Sequence, residues 1–212
     1  MYKNWLFMQL SDSAFPTGGF AHSAGLEAAH QLGEVQGAAG LEKFLGEALW
    51  QTGHGLLPLV NAAFENPDRI VEIDLICDAF LSGHVTNRAS RVQGRTFLAT
   101  CVRSFGIASI KTPNQHYAPI FGAVMNALEL DRTSMQRLFL HGTFRSLLSA
   151  AIRLGIVGPY QGQQIQSQFS VTLDTILTEC GELKMDELAQ TAPLLELFQS
   201  KHDQLYSRLF QS

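Results

Sequence analysis

Charge is what this chain has least of. Among 212 residues there are 15 Lys or Arg and 19 Asp or Glu, so 16% are charged, where a soluble domain usually carries about a quarter. The net charge of −4 offers no basic face of the kind that binds nucleic acid. Long apolar runs are also missing. No stretch approaches the ~20 residues needed to cross a bilayer, and the opening "MYKNWLFMQLSDS" lacks the basic-then-apolar order of a leader. The expectation is a protein with neither nucleic acid nor membrane as partner. Cysteine is sparse: Cys77, Cys101 and Cys180 stand apart, with no Cys-x-x-Cys pair. That spacing argues against a disulfide scaffold and for reduced thiols in the cytoplasm. What remains is apolar, at 46% of the chain. Apolar surface that charge does not cover tends to be buried between molecules, so the composition predicts an oligomer or a component of a complex.

Strand-like alternation is scarce too, and the apolar residues recur at helical spacing instead. Leu41, Phe44, Leu45, Ala48 and Leu49 form one stripe, and Ile70, Ile73, Ile76 or Cys77, and Phe80 form another. Met135, Leu138 and Phe139 continue into Leu147, Leu148, Ala151 and Ile152. Asp131 to Ser134 predict the start of that helix, and Gly155, Gly158 and Pro159 its end. Asn66-Pro67-Asp68 and Thr112-Pro113-Asn114 read as breaks, and Gly181 as the stop of a helix from about Gln163. Leu205 and Leu209 lie one turn apart. With no repeat and no low-complexity linker, the pattern predicts one all-α domain over 1–212, a bundle-like fold of roughly eight to ten helices. Its two ends need something to dock against.

Signatures of catalysis and cofactor binding are absent as well. "SDSAFPTGGFAHSAGLE", Ser11 to Glu27, holds a Gly18-Gly19 pair, but no lysine follows it as a P-loop requires, and no third glycine makes a dinucleotide fingerprint. Pro16 and the glycines read as a sharp loop between helices. The histidines (22, 30, 54, 84, 116, 141 and 202) never form His-Glu-x-x-His, and there is no Gly-x-Ser-x-Gly. A helical metal-binding or hydrolytic protein that assembles these dispersed histidines stays open as the alternative. No catalytic, metal or cofactor residue is assigned. One feature stands out: Arg88, Arg91 and Arg95 fall at i, i+3 and i+7, one stripe of one helix, with no acid near them in the chain. Such a stripe predicts an acidic partner, within this chain or beyond it.

"FMQLSDSAFPTGGFAHSAGLE" resembles the opening block of the UreF family of urease accessory proteins. "NRASRVQGRTFL", "HYAPIFGAV", "SAAIRLGIVGPYQGQ" and "HDQLYSRLFQS" resemble further blocks of that family, in order and over essentially the whole chain. The resemblance implies an all-α, dimeric, non-catalytic cytoplasmic protein that acts as a chaperone in nickel insertion. It implies a bridge between UreD (UreH in some organisms) and the GTPase UreG on apo-urease, with an influence on GTP hydrolysis by UreG. It also implies that the segments of about 1–20 and 200–212 meet partners and are ordered by them. Carried onto this sequence, the partner candidates are Phe15, Pro16, Gly18, Gly19, Phe20 and His22 at one end and Tyr206, Arg208 and Phe210 at the other. The stripe of Arg88, Arg91 and Arg95 joins them as a candidate surface for UreG.

Overall fold

A computed structural model describes residues 2–212. Among them are ten α-helices and no strand: α1 Tyr2–Ser11, α2 Leu26–Gln31, α3 Gly37–Gly55, α4 Leu57–Glu65, α5 Ile70–Phe80, α6 His84–Phe105, α7 Tyr117–Ala127, α8 Arg132–Arg153, α9 Pro159–Cys180 and α10 Pro193–Lys201. Four single 3-10 turns, at Gly19–Ala21, Pro67–Arg69, Met185–Glu187 and His202–Gln204, complete the described structure. None of these helices is long and apolar enough to cross a membrane.

Two short helices, α4 and α7, make the centre. Every residue of α7 from Ala118 to Met125 is buried, as are Leu57 to Asn61 of α4, the signature of a helix enclosed on all sides. They touch along their length because Gly122 lets the backbones meet; a Cβ there would overlap the Val60 carbonyl. Helix α6 crosses above α7 by the same device, Gly94 lying against the Gln115 carbonyl. Rings fill the space between. The centroids of Phe97 and Phe121 are 5.4 Å apart, and those of Phe121 and Phe139 5.3 Å. Helices α3, α8 and α9 pack on one another around this centre, α1 lies on α8, and α10 lies across α2 and α6.

The polar residues inside are all placed by a bond. The Asp74 carboxylate, on α5, accepts from the backbone N–H groups of Asn114 (2.7 Å), Gln115 (3.2 Å) and His116 (2.9 Å). It thereby pins the Thr112–His116 break and the start of α7. The Gly181 carbonyl accepts from Asn61, Gln136 and Arg132 at 2.7–3.0 Å. Helix α8 starts as its sequence predicts, with Asp131 accepting from Ser134 N at 2.9 Å. Pro159 differs from expectation. It does not so much end α8, which stops at Arg153, as open α9 in the first helical position, four residues before the expected start. Past Gln204 the chain leaves helical geometry, so the one-turn spacing of Leu205 and Leu209 does not become a helical face. Leu205 is half-buried and Leu209 is exposed.

Candidate functional site

The loop after α1 is built from its own turn residues and then held against α6. Ala14 N donates to Asp12 Oδ1 at 2.7 Å, an Asx turn. Phe15 drops inward and stacks on Phe105, centroids 5.9 Å apart. Thr100 of α6 donates to the Pro16 carbonyl at 3.1 Å. Gly18 takes φ +80°, in the left-handed region that favours glycine. A Cβ on Gly18 would meet Thr96 at 3.2 Å, and one on Gly19 would meet Ser146 Oγ at 3.0 Å. The Gly pair is therefore a steric device, as its setting in the sequence predicts. Behind it a cavity of about 240 Å³ has Gly19, His22, Gln93, Tyr117 and Ser146 in its walls.

The remainder of that block grips the far end of the chain. Glu27, 1% exposed, accepts from Leu209 N (2.6 Å), Phe210 N (3.2 Å) and His202 Nε2 (3.0 Å). Gln211 N donates to Ala21 O at 2.8 Å, and Ser23 N to Ser212 O at 2.6 Å. His22 Nδ1 and Ser212 Oγ share a 2.5 Å hydrogen bond. Burial holds the His22 imidazole below its ordinary pKa, and the nearby His202 and Arg88 push the same way. Ala21 to Glu27 and Leu209 to Ser212 thus form one clasp. A third segment joins it: the Arg153 guanidinium, at the end of α8, lies 3.9 Å from the ring centroid of Phe20 and 4.2 Å from that of Phe210, and donates to Phe20 O at 2.6 Å.

The clasp sorts the candidates at the two ends. Phe15, Gly19 and Phe210 are buried, so the two rings and the glycine backbone support the surface from within. Phe20 (69% exposed) and Tyr206 (fully exposed) carry the rings that face solvent. Pro16 and Arg208 are exposed as well, and Gly18 and His22 are half-buried.

All three stripe arginines lie on α6. The acid missing from their neighbourhood in the sequence arrives from the 3-10 turn that follows α10. Arg88 donates to both oxygens of Asp203, at 2.9 and 3.1 Å. His84 and Arg208 reach the same carboxylate at 3.3 and 3.4 Å. The Arg88 hydrogen bonds, with its charge and His84, hold Asp203 below its ordinary carboxylate range. Arg88 is therefore paired within the chain. Arg91 donates to Asn114 Oδ1 at 2.5 Å, and Arg95 is exposed and makes no ion pair among the described residues.

One arrangement bears on the hydrolytic alternative. His116 Nδ1 is 3.1 Å from Ser90 Oγ, and its Nε2 is 3.0 Å from Asp78 Oδ1, the order of a nucleophile, a base and its orienting acid. The imidazole is fully buried, and Ser90 Oγ also accepts from Tyr117 N at 3.2 Å. The trio braces the start of α7 against α5 and α6. His22 and His202 come near each other in the clasp, but no group of three potential metal ligands occurs among the described residues.

Sequence reasoning missed Glu27 as an anchor, Asp203 as the partner of Arg88, and Arg153 altogether. Glu27 and Arg153 carry ordinary helical signals, and the residues they hold are 183 and 133 positions away for Phe210 N and Phe20 O. A sequence model of the UreF family matches residues 35–170. The chain is 38% identical over 221 residues to Urease accessory protein F of Arabidopsis thaliana, covering 98% of this chain and 92% of that one. It is 36% identical over 219 residues to Urease accessory protein F of Oryza sativa subsp. indica, covering 97% and 84%. It is 30% identical over 219 residues to Urease accessory protein UreF of Trichodesmium erythraeum (strain IMS101), covering 96% and 94%. Both halves of the clasp lie outside the region matched by the family model, while the pairwise similarities run across nearly the whole chain.

Proposed function

The chain belongs to the UreF family, and from that premise we propose that it is a non-catalytic scaffold of urease maturation. It joins UreD (UreH) and the GTPase UreG on apo-urease during nickel insertion, and it influences GTP hydrolysis by UreG. It works in the cytoplasm, where its three buried free thiols stay reduced, and it is present in two copies in the assembly.

The observation that carries this reading is the surface made by the two chain ends. Phe20, Tyr206 and Leu209 expose apolar side chains there beside Arg208, a mixture of aromatic and arginine groups that protein interfaces favour. The segments of about 1–20 and 200–212, already joined to each other through Arg153, meet UreD together. The stripe offers a second contact: Arg95 stands free and Arg88 is shared with one partly exposed acid, so an acidic surface on UreG finds unspent positive charge there.

Co-expression with UreD and UreG of the same organism tests the proposal. The expected result is a co-purifying complex whose mass, by light scattering, requires two copies of this chain. Failure of the purified chain to retain either protein would refute the scaffold. Tight stoichiometric nickel binding by the isolated chain, or hydrolysis abolished by Ser90→Ala, would establish the alternative instead.

A further inference from the structure

Arg153 lies outside both chain ends, yet two segments far apart in sequence meet on it. It sits at the end of α8, between a ring of the 3-10 turn at Gly19–Ala21 and a ring of the tail. One of those rings, Phe210, is buried; the other, Phe20, is 69% exposed. A large exposed ring normally wanders among rotamers and loses that freedom when a partner covers it. Here a planar cation lies against it and donates to its carbonyl, so the ring is fixed before any partner arrives, and preorganisation of this kind lowers the entropic cost of association. Only arginine fits the position well. A guanidinium presents two flat faces and can stack on two rings at once, whereas an ammonium is a compact point charge.

We propose that Arg153 is a positioning residue for the docking surface: stacked between Phe20 and Phe210, it locks the exposed Phe20 ring to the tail and presents the two as a single apolar element to a protein partner. The proposal rests on the scaffold reading, which makes the two chain ends the side that a partner covers. It adds the residue that unites them, and it makes Phe20 the central ring of the contact.

Arg153→Ala, Arg153→Lys and Phe20→Ala in the full chain test it, read by hydrogen exchange and by capture on immobilised UreD from the same organism. Arg153→Ala is expected to speed exchange in peptides covering 18–24 and 205–212, to leave the α4 and α7 peptides protected, and to weaken capture about 10-fold, the scale of one partly desolvated cation–π contact. Arg153→Lys keeps the charge without the flat faces and is expected to recover part of the capture. Unchanged exchange in both peptides would overturn the proposal, because the stack would then position nothing. So would loosened ends with undiminished capture while Phe20→Ala weakens it. Full capture by both Phe20→Ala and a chain lacking 205–212 would overturn the proposal while leaving the scaffold reading intact, whereas no capture of the unaltered chain would remove the scaffold reading itself.

Discussion

The α4–α7 centre and the clasp of the chain ends are both buried, and they are held by opposite means. At the centre, two apolar helices meet through a glycine, rings fill the gaps, and the few polar groups satisfy backbone ends. At the clasp, one carboxylate collects three N–H donors and one guanidinium collects two rings. The centre draws on the non-directional burial of apolar area, so its stability is spread over many contacts. The clasp draws on a few directional bonds, so its stability is concentrated in Glu27 and Arg153. Spread contacts make a frame that partners can rely on. Concentrated ones make a surface that a single change can undo while the frame stands.

The largest test of that contrast is at the centre. Gly94→Ala drives a methyl group into the Gln115 carbonyl, and backbone has little room to yield. A loss of about 3 kcal/mol or more is expected in denaturant unfolding, since overpacking of a tight contact costs of that order. A loss below ~1 kcal/mol would mean that α6 and α7 slide freely past each other. Next comes the clasp. Glu27→Gln replaces one oxygen with an N–H donor that faces other donors, which costs roughly 1–3 kcal/mol for a buried mismatch. Its expected mark is local: exchange protection vanishes at the amides of Leu209 and Phe210 while the amides of α7 keep theirs. Uniform loss across the molecule would make clasp and centre one cooperative unit.

Smaller effects come from titration. Burial depresses the His22 pKa below the ordinary 6.5. As pH falls through that value the unfolded chain takes up a proton that the folded chain refuses, so stability present above about pH 6.5 is progressively lost below it. The thermal midpoint is expected to fall from pH 7 to pH 5.5, and His22→Gln is expected to flatten that slope. An identical slope in the variant would place the titrating group elsewhere. Asp203, whose ordinary value is 3.8 and whose pKa Arg88 depresses, contributes in the same direction at lower pH: its stabilisation is full above about pH 4 and goes only as pH falls through the depressed value. The smallest effect belongs to that pair. Arg88→Ala breaks a largely exposed contact and is expected to cost under ~1 kcal/mol, with the exchange of 209–212 unaltered. A larger loss would show that Asp203, and not Glu27, holds the tail.

The same contrast explains what the sequence discloses. The stripe of Leu41, Phe44, Leu45, Ala48 and Leu49 is visible at helical spacing, and all five side chains are buried. Asp131 announces the start of α8 because a cap acts within three residues. Pairing between distant residues follows no such period. The carboxylate of Glu27 looks like any first-turn acid of a short helix. The Arg88 stripe appears unpartnered along the chain because its acid lies 115 positions on. For the candidate surface, the residue types at the two ends were legible, but which rings face outward was not. That depends on Arg153 and on the inward pull of Phe210, both set by the tertiary fold.

The separation between the two halves of the clasp also has a consequence in time. The ribosome delivers Glu27 some 180 residues before the tail amides it receives, and chains are made at about 5–20 residues per second. For roughly ten seconds or more the nascent protein therefore carries an empty acceptor at Glu27, while α4 and then α7 are delivered and become free to fold together. The link of Phe20 to the tail through Arg153 and Phe210 is completed only when synthesis reaches the tail, so any partner that needs both passes over a chain that lacks it. Ribosome-stalled chains ending before and after residue 212 would separate the two states, since only the longer, fully extruded one should be retained by such a partner.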